Sequence, residues 1–198
     1  MTYEIVLGLA LFALASSITP GPNNLMLMAS GANFGFRRTI PHMLGVGLGF
    51  TLMVMLVGVG LVQVFNAVPV SYQILKVVSV VYLLYLAWKI GTAAPVAGEV
   101  DASGTPFTFV QAALFQWVNP KAWTMALTAV SVYSPSQSVV AMAFVAAVFG
   151  AINLPCISLW TTLGQQLQRI LTSPARLRVF NITMAMLLVG SLYPVLIP

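Results

Sequence analysis

Lys121 is the residue whose type and position most need a chemical explanation. It follows Asn119 and Pro120 inside a long apolar stretch, residues 107–132, that carries no other charge. A cation at the centre of a bilayer costs roughly 2.5–3.5 kcal/mol on insertion scales, and such residues usually face a cavity and mark a solute pathway. The chemistry on offer is that of a counter-ion for a carboxylate. The blander alternative is a shifted span whose lysine snorkels to an interface. The adjacent Asn-Pro argues separately for a cavity and favours the first reading. A second constellation is ITPGPNNLM, residues 18–26, with Pro20 and Pro22 around Gly21, then Asn23 and Asn24. Two prolines and a glycine cost more helix stability than a plain membrane crossing would carry. Such a break frees backbone N–H and C=O groups that lipid cannot satisfy, so it belongs where protein or a wet cavity surrounds it.

Other candidates are fewer. Asn153, two residues before Pro155, is a polar contact from a later span; its alternative is an interhelical hydrogen bond of about 0.6 kcal/mol. Pro155 alone reads as a simple kink. The apolar segments hold no central carboxylate: Glu4 opens the first, and Glu99 and Asp101 fall in a linker. That leaves His42 and Lys121 as proton-coupling candidates, imidazole being suited to proton exchange. His42 follows Pro41 close to Arg37 and Arg38, a setting that better fits an interfacial residue. Trp117 and Trp123 flank Lys121 and suit either interface anchors or pocket walls.

The elements that must position these residues are membrane helices. The chain of 198 residues is 60% hydrophobic and 6% charged, against about 25% charged in soluble domains. A spanning helix takes roughly 20 apolar residues, so the length fits six. The first is interrupted, 5–18 with 25–36; the second is 43–65, with Gly45, Gly47, Gly49, Gly58 and Gly60 as small packing faces. The third is 71–91, with Lys76 placed to snorkel and Tyr82, Tyr85 and Trp88 as an interfacial belt. The fourth is 107–132, interrupted at 119–121; the fifth is 138–163 and the sixth 179–197. Residues 92–106 are small, polar and Pro/Gly-containing, and divide a first half, 1–91, from a second, 107–198. The N-terminus lacks the basic region and cleavage motif of a signal peptide and reads as the start of the first span.

Each half opens with a proline-broken span, and three spans per half place the halves in opposite orientations. Broken helices at matching positions of inverted repeats point to a transporter binding site at the bilayer midplane. The expected fold is therefore an all-α integral membrane protein of six transmembrane helices in two inverted three-helix repeats. Arg37, Arg38, Lys89, Arg169, Arg176 and Arg178 fall in the three loops on one side. The positive-inside rule makes that side cytoplasmic, together with the linker, and puts both termini outside.

Composition also excludes. The net charge of +5 comes from scattered residues, which is no nucleic-acid footprint. One histidine and one cysteine, Cys156, supply neither a metal cluster nor a disulfide. No cofactor is expected. No nucleophile–base or carboxylate pair lies in the spans, which argues against an enzyme. A channel would want rings of charge. A non-transporting assembly subunit would explain the glycines but not a lysine at a double helix break. The glycine-rich second span suits a homodimer as well as internal packing.

The segments TPGPNNLM (19–26), GFRR (35–38) and GVGLG (45–49), followed by FQWVNPKAW (115–123), resemble the LysE/RhtB-type amino acid exporters over nearly the whole chain. The resemblance implies a bacterial inner-membrane exporter of amino acids or close derivatives, driven by the proton gradient. By motif match it points to Pro20, Gly21, Pro22, Asn23, Asn24, Asn119, Pro120 and Lys121 as the substrate region. Many members carry Asp where this chain has Asn23, which removes an obvious protonatable group. The Pro-Gly-Pro-Asn-Asn form is similar to that of exporters of cysteine and O-acetylserine-like metabolites, among others.

Overall fold

The computed structural model describes residues 2–61, 67–68, 70–93, 105–134 and 138–196. Glu99 and Asp101, and most of the 92–106 linker, lie outside the described residues. All regular structure among the described residues is helical: α1 (Tyr3–Ile18), α2 (Pro22–Leu56) with a π-helical extension (Val57–Leu61), α3 (Val70–Gly91), α4 (Phe109–Val118), α5 (Pro120–Tyr133), α6 (Val139–Gln168), α7 (Pro174–Gly190) and the short α8 (Tyr193–Leu196). Three helical stretches are long and apolar enough to cross a membrane: Pro22–Leu61, Gln73–Gly91 and Val139–Gln168.

Local chemistry sets the boundaries. A residue before proline is pushed from the α region, and Thr19 before Pro20 is extended, at φ −67° and ψ 143°, closing α1. Asn119 before Pro120 is likewise extended and closes α4. Pro22 and Pro120 then occupy the first turns of α2 and α5, where a missing N–H costs nothing and a fixed φ is already helical. Thr108 and Gln111 form a capping box at the start of α4, satisfying two first-turn donors. Pro155 lies inside α6, which runs through it as one helix of 30 residues.

α2 is not one straight rod. Gly35 sits at φ 76° and ψ 169°, a conformation essentially confined to glycine. The Ser30 and Thr39 hydroxyls are 2.9 Å apart; a continuous helix would separate them by about 13.5 Å along its axis, at 1.5 Å per residue. The chain therefore folds back at Gly35 into two arms, 22–34 and 36–56. Leu27 of the first arm and Met43 and Val46 of the second share one buried cluster with Ala112 and Ile157.

Small residues let the backbones close. A Cβ on Gly49 would lie 2.7 Å from Ala113 Cα, and one on Gly45 would strike the Phe109 carbonyl, so the second arm of α2 lies hard against α4. The same arm and the π-helical extension after it run antiparallel to α6, with Gly47 against Leu154 and Ile157, Thr51 against Gly150, and Gly58 against Met142. Gly31 meets the Thr161 carbonyl and Gly164 meets that of Met28, joining the first arm to α6. Lipid gives no hydrophobic drive between helices, so this close packing supplies the attraction. One core cluster unites Leu9 and Ala13 of α1, Phe50, Phe149, and Ala122 and Ala126 of α5. It holds the two breaks, 19–21 and 119, side by side.

Candidate functional site

The breaks meet through Lys121. Its Nζ donates to the Thr19 carbonyl (2.8 Å), the Thr19 hydroxyl (2.9 Å) and the Pro20 carbonyl (3.2 Å). These oxygens are available because α1 stops at Thr19 and no next turn supplies donors. The side chain reaches them by passing over Gly21, where a Cβ would come within 2.6 Å of Lys121 Cδ. Gly21 is extended, at φ −175°, so close approach rather than backbone freedom is what demands a glycine.

The asparagines hold the same junction. Asn23 and Gln116 exchange amide hydrogen bonds of 2.8 and 3.2 Å, linking the first turn of α2 to the last of α4. The Asn24 amide donates to the carbonyls of Ser17 and Thr19, both at 2.8 Å. The Asn119 side chain accepts from the Lys121 backbone N–H at 3.2 Å and caps α5. Indoles satisfy two further carbonyls. Pro22 has no N–H to offer Ile18, whose carbonyl accepts instead from Trp160 Nε1 at 3.2 Å. Trp123 Nε1 donates to the Trp117 carbonyl at 2.8 Å. Trp117 and Trp123 thus close the second break as an edge-on pair with centroids 6.0 Å apart.

Between the breaks lies a cavity of about 20 Å³, lined among others by Ser17, Asn24, Asn119, Lys121 and Asn153. A water needs roughly 10–15 Å³ on the same measure, so there is space for about one. The Ser17 hydroxyl on this wall is buried without a hydrogen-bond partner. Unlike α1, α4 and α5, α2 starts with no side-chain cap. Its first-turn amides favour a negative group.

The structure brings Gly21, Asn23, Asn24, Asn119, Lys121 and Asn153 to one cavity. Pro20 contributes its carbonyl, whereas Pro22 and Pro120 serve as helix starters. The carbonyls freed at the first break, those of Thr19 and Pro20, are occupied by Lys121. The sequence marks Thr19 only as the polar residue before Pro20, and it does not single out Ser17, Gln116 or Trp160. Gln116 lies inside the quoted motif, but nothing along the chain marks Trp160 as the partner of a broken helix far earlier.

His42 stands elsewhere. It is 2% exposed, and neither ring nitrogen has a hydrogen-bond partner. Its ring packs 5.2 Å from that of Phe107, over which Lys89 Nζ lies at 5.8 Å. Its ring is thus enclosed by protein although Arg37 and Arg38 are close in the chain. His42 lines a cavity of about 640 Å³ with Ser30, Asn33, Lys89, Phe107 and Gln168. The volume is in the range of small-molecule sites. The two proton-coupling candidates therefore face different cavities.

The sequence model of a family described as LysE type translocator matches residues 14–191. A cysteine/O-acetylserine efflux protein of Salmonella typhimurium is 33% identical over 184 residues, 90% of each chain. One of Escherichia coli K12 is 30% identical over 195 residues, 96% of each chain. No solved structure matches the chain.

Proposed function

The chain belongs to the LysE type translocator family, and on that basis we propose that it is a secondary transporter exporting small amino acids or close derivatives across the bacterial inner membrane. The observation that carries the proposal is Lys121 reaching from one broken helix onto the freed oxygens of the other. A carboxylate and an ammonium are the two groups every zwitterionic amino acid presents. The junction has a cation and uncapped α2 amides for the first, and three oxygens for the second. The relatives' names as cysteine/O-acetylserine efflux proteins make cysteine and O-acetylserine the first substrates to test.

Six spans in two inverted three-helix repeats, 1–91 and 107–198 about the 92–106 linker, are supported by three features. The fold-back at Gly35 divides the stretch Pro22–Leu61 into separate arms. The breaks at Thr19–Gly21 and Asn119 recur at the same place in each half. Proline opens the helix after each. Phe34, Lys89, Gln168 and Leu177 line the wide cavity together, so the loops bearing the six basic residues gather at one end. By the positive-inside rule that end is cytoplasmic and both termini are outside. The wide cavity is then the cytoplasmic vestibule, and the small one between the breaks is the midplane site in a closed form. Rocking of the two halves would open each in turn. Coupling to protons belongs to this reading, with His42 and Lys121 as candidate carriers; a homodimer through glycine-rich faces is compatible with it.

The test is efflux from cells loaded with amino acid dipeptides, comparing wild type with Lys121→Ala at matched membrane abundance. Accelerated export of a subset of amino acids, lost in the variant, is expected. Equal export by both would remove Lys121 from the site. The absence of export of any amino acid by wild type would refute the exporter reading and favour a channel or an assembly subunit.

A further inference from the structure

The docking of Lys121 says something about the empty transporter. Its ammonium occupies three oxygens, two from Thr19 and one from Pro20. Three acceptors around one point are what a primary ammonium, with three donors, requires. Among the described residues no carboxylate is a partner of that Nζ; the oxygens of Thr19 and Pro20 hold it. The route is built for this occupant, since Gly21 alone leaves the lysine methylenes space to cross. The remaining volume, about 20 Å³, excludes a solute while the lysine is docked.

We infer that Lys121 is a tethered stand-in for the substrate's own ammonium, filling the cation site of the empty transporter and giving it up when substrate binds. This rests on the exporter reading and adds a mechanism to it. Two ammonium groups cannot share one set of three oxygens, because like charges at contact distance repel. Substrate can take the site only by displacing Lys121. The displaced ammonium then needs an anion, and the arriving zwitterion brings a carboxylate. Exchange therefore conserves pairing: one cation leaves the oxygens, another takes its place, and the freed lysine meets the carboxylate. The substrate class follows. A ligand with an ammonium and a neighbouring carboxylate satisfies both positions; an amine alone strands Lys121, and an acid alone cannot vacate the oxygens.

The experiment is calorimetric binding to the purified full-length protein in detergent. The probes are O-acetyl-L-serine, L-cysteine and 2-aminoethyl acetate, the last being O-acetylserine without its carboxylate. In wild type the carboxylate-free amine should bind at least tenfold more weakly than O-acetyl-L-serine. In Lys121→Met, which keeps a long side chain without the charge, the amine should bind at least tenfold more tightly than in wild type. Gly21→Ala, which pushes the lysine off the oxygens while keeping it, should move the amine the same way and serves if Lys121→Met does not fold. An amine affinity that ignores both substitutions, or falls in them, overturns the stand-in role even though wild type binds O-acetyl-L-serine. Wild type that binds neither amino acid nor the amine overturns the substrate site as a whole.

Discussion

Gly21→Ala isolates the docked lysine with a single methyl group. The new Cβ would sit 2.6 Å from Lys121 Cδ and 3.1 Å from Nζ. Carbon atoms in contact stay about 3.5–4.0 Å apart, so the side chain has to retreat by about 1 Å. Its three hydrogen bonds, at 2.8, 2.9 and 3.2 Å, would then stretch beyond the usual limit of about 3.2 Å. A hydrogen bond to a charged group contributes about 1.5–3 kcal/mol. Thr19 and Pro20 are exposed, so where water reaches it replaces part of the loss, and the net is set at one such bond. At about 1.4 kcal/mol per decade this is a 10- to 100-fold gain in affinity for a carboxylate-free amine, read by titration calorimetry. The double variant supplies the control. With Lys121→Met already in place, the alanine has nothing to displace, and its effect should fall below about threefold, the two sites being coupled. An alanine effect of the same size in both backgrounds would refute the reasoning, because the methyl would then act on the ligand or the fold directly.

Five other substitutions have defined outcomes. Gly35→Ala should lower unfolding stability by about 1–3 kcal/mol through backbone strain alone, since nothing lies within 4 Å of its Cβ; Gly190→Ala, equally open but without a positive φ, should be neutral or stabilising by up to about 1 kcal/mol. A thermal melt in detergent compares the two. Gly164→Val drives side-chain atoms into the Met28 carbonyl and should cost about 1–3 kcal/mol or more by overpacking, seen as a lower melting temperature. Gln116→Leu strands the Asn23 amide at about 1–3 kcal/mol, and unchanged melting would show that the pair contributes nothing. His42→Phe removes two unpartnered buried nitrogens and should raise the melting temperature; transport lost from this more stable protein would mark His42 as functional, and transport retained would remove it from proton coupling.

Much of the site was readable along the chain because proline and lysine act locally. Pro20, Pro22 and Pro120 end and start helices wherever they stand, so the breaks at Thr19–Gly21 and Asn119 follow from covalent geometry. Lys121 was conspicuous because charge is scarce in an apolar stretch. The turn at Gly35 falls within the last residues of the expected segment 25–36, ahead of the gap before 43–65, and glycine is the residue its φ of 76° requires.

What sequence alone determined is the all-helical class, the places where helices stop, and the pair of polar breaks that mark the site. Tertiary structure decided what those breaks do to each other. Lys121 lands on the oxygens of Thr19 and Pro20, Asn23 meets Gln116, Trp160 serves Ile18, and His42 is parted from Lys121 into another cavity. The physical reason is range. Helix breaking depends on a residue and its immediate neighbours, whereas a freed carbonyl accepts from whichever donor the packed backbones bring within about 3 Å. That partner is chosen by the close approach of helices distant in the chain.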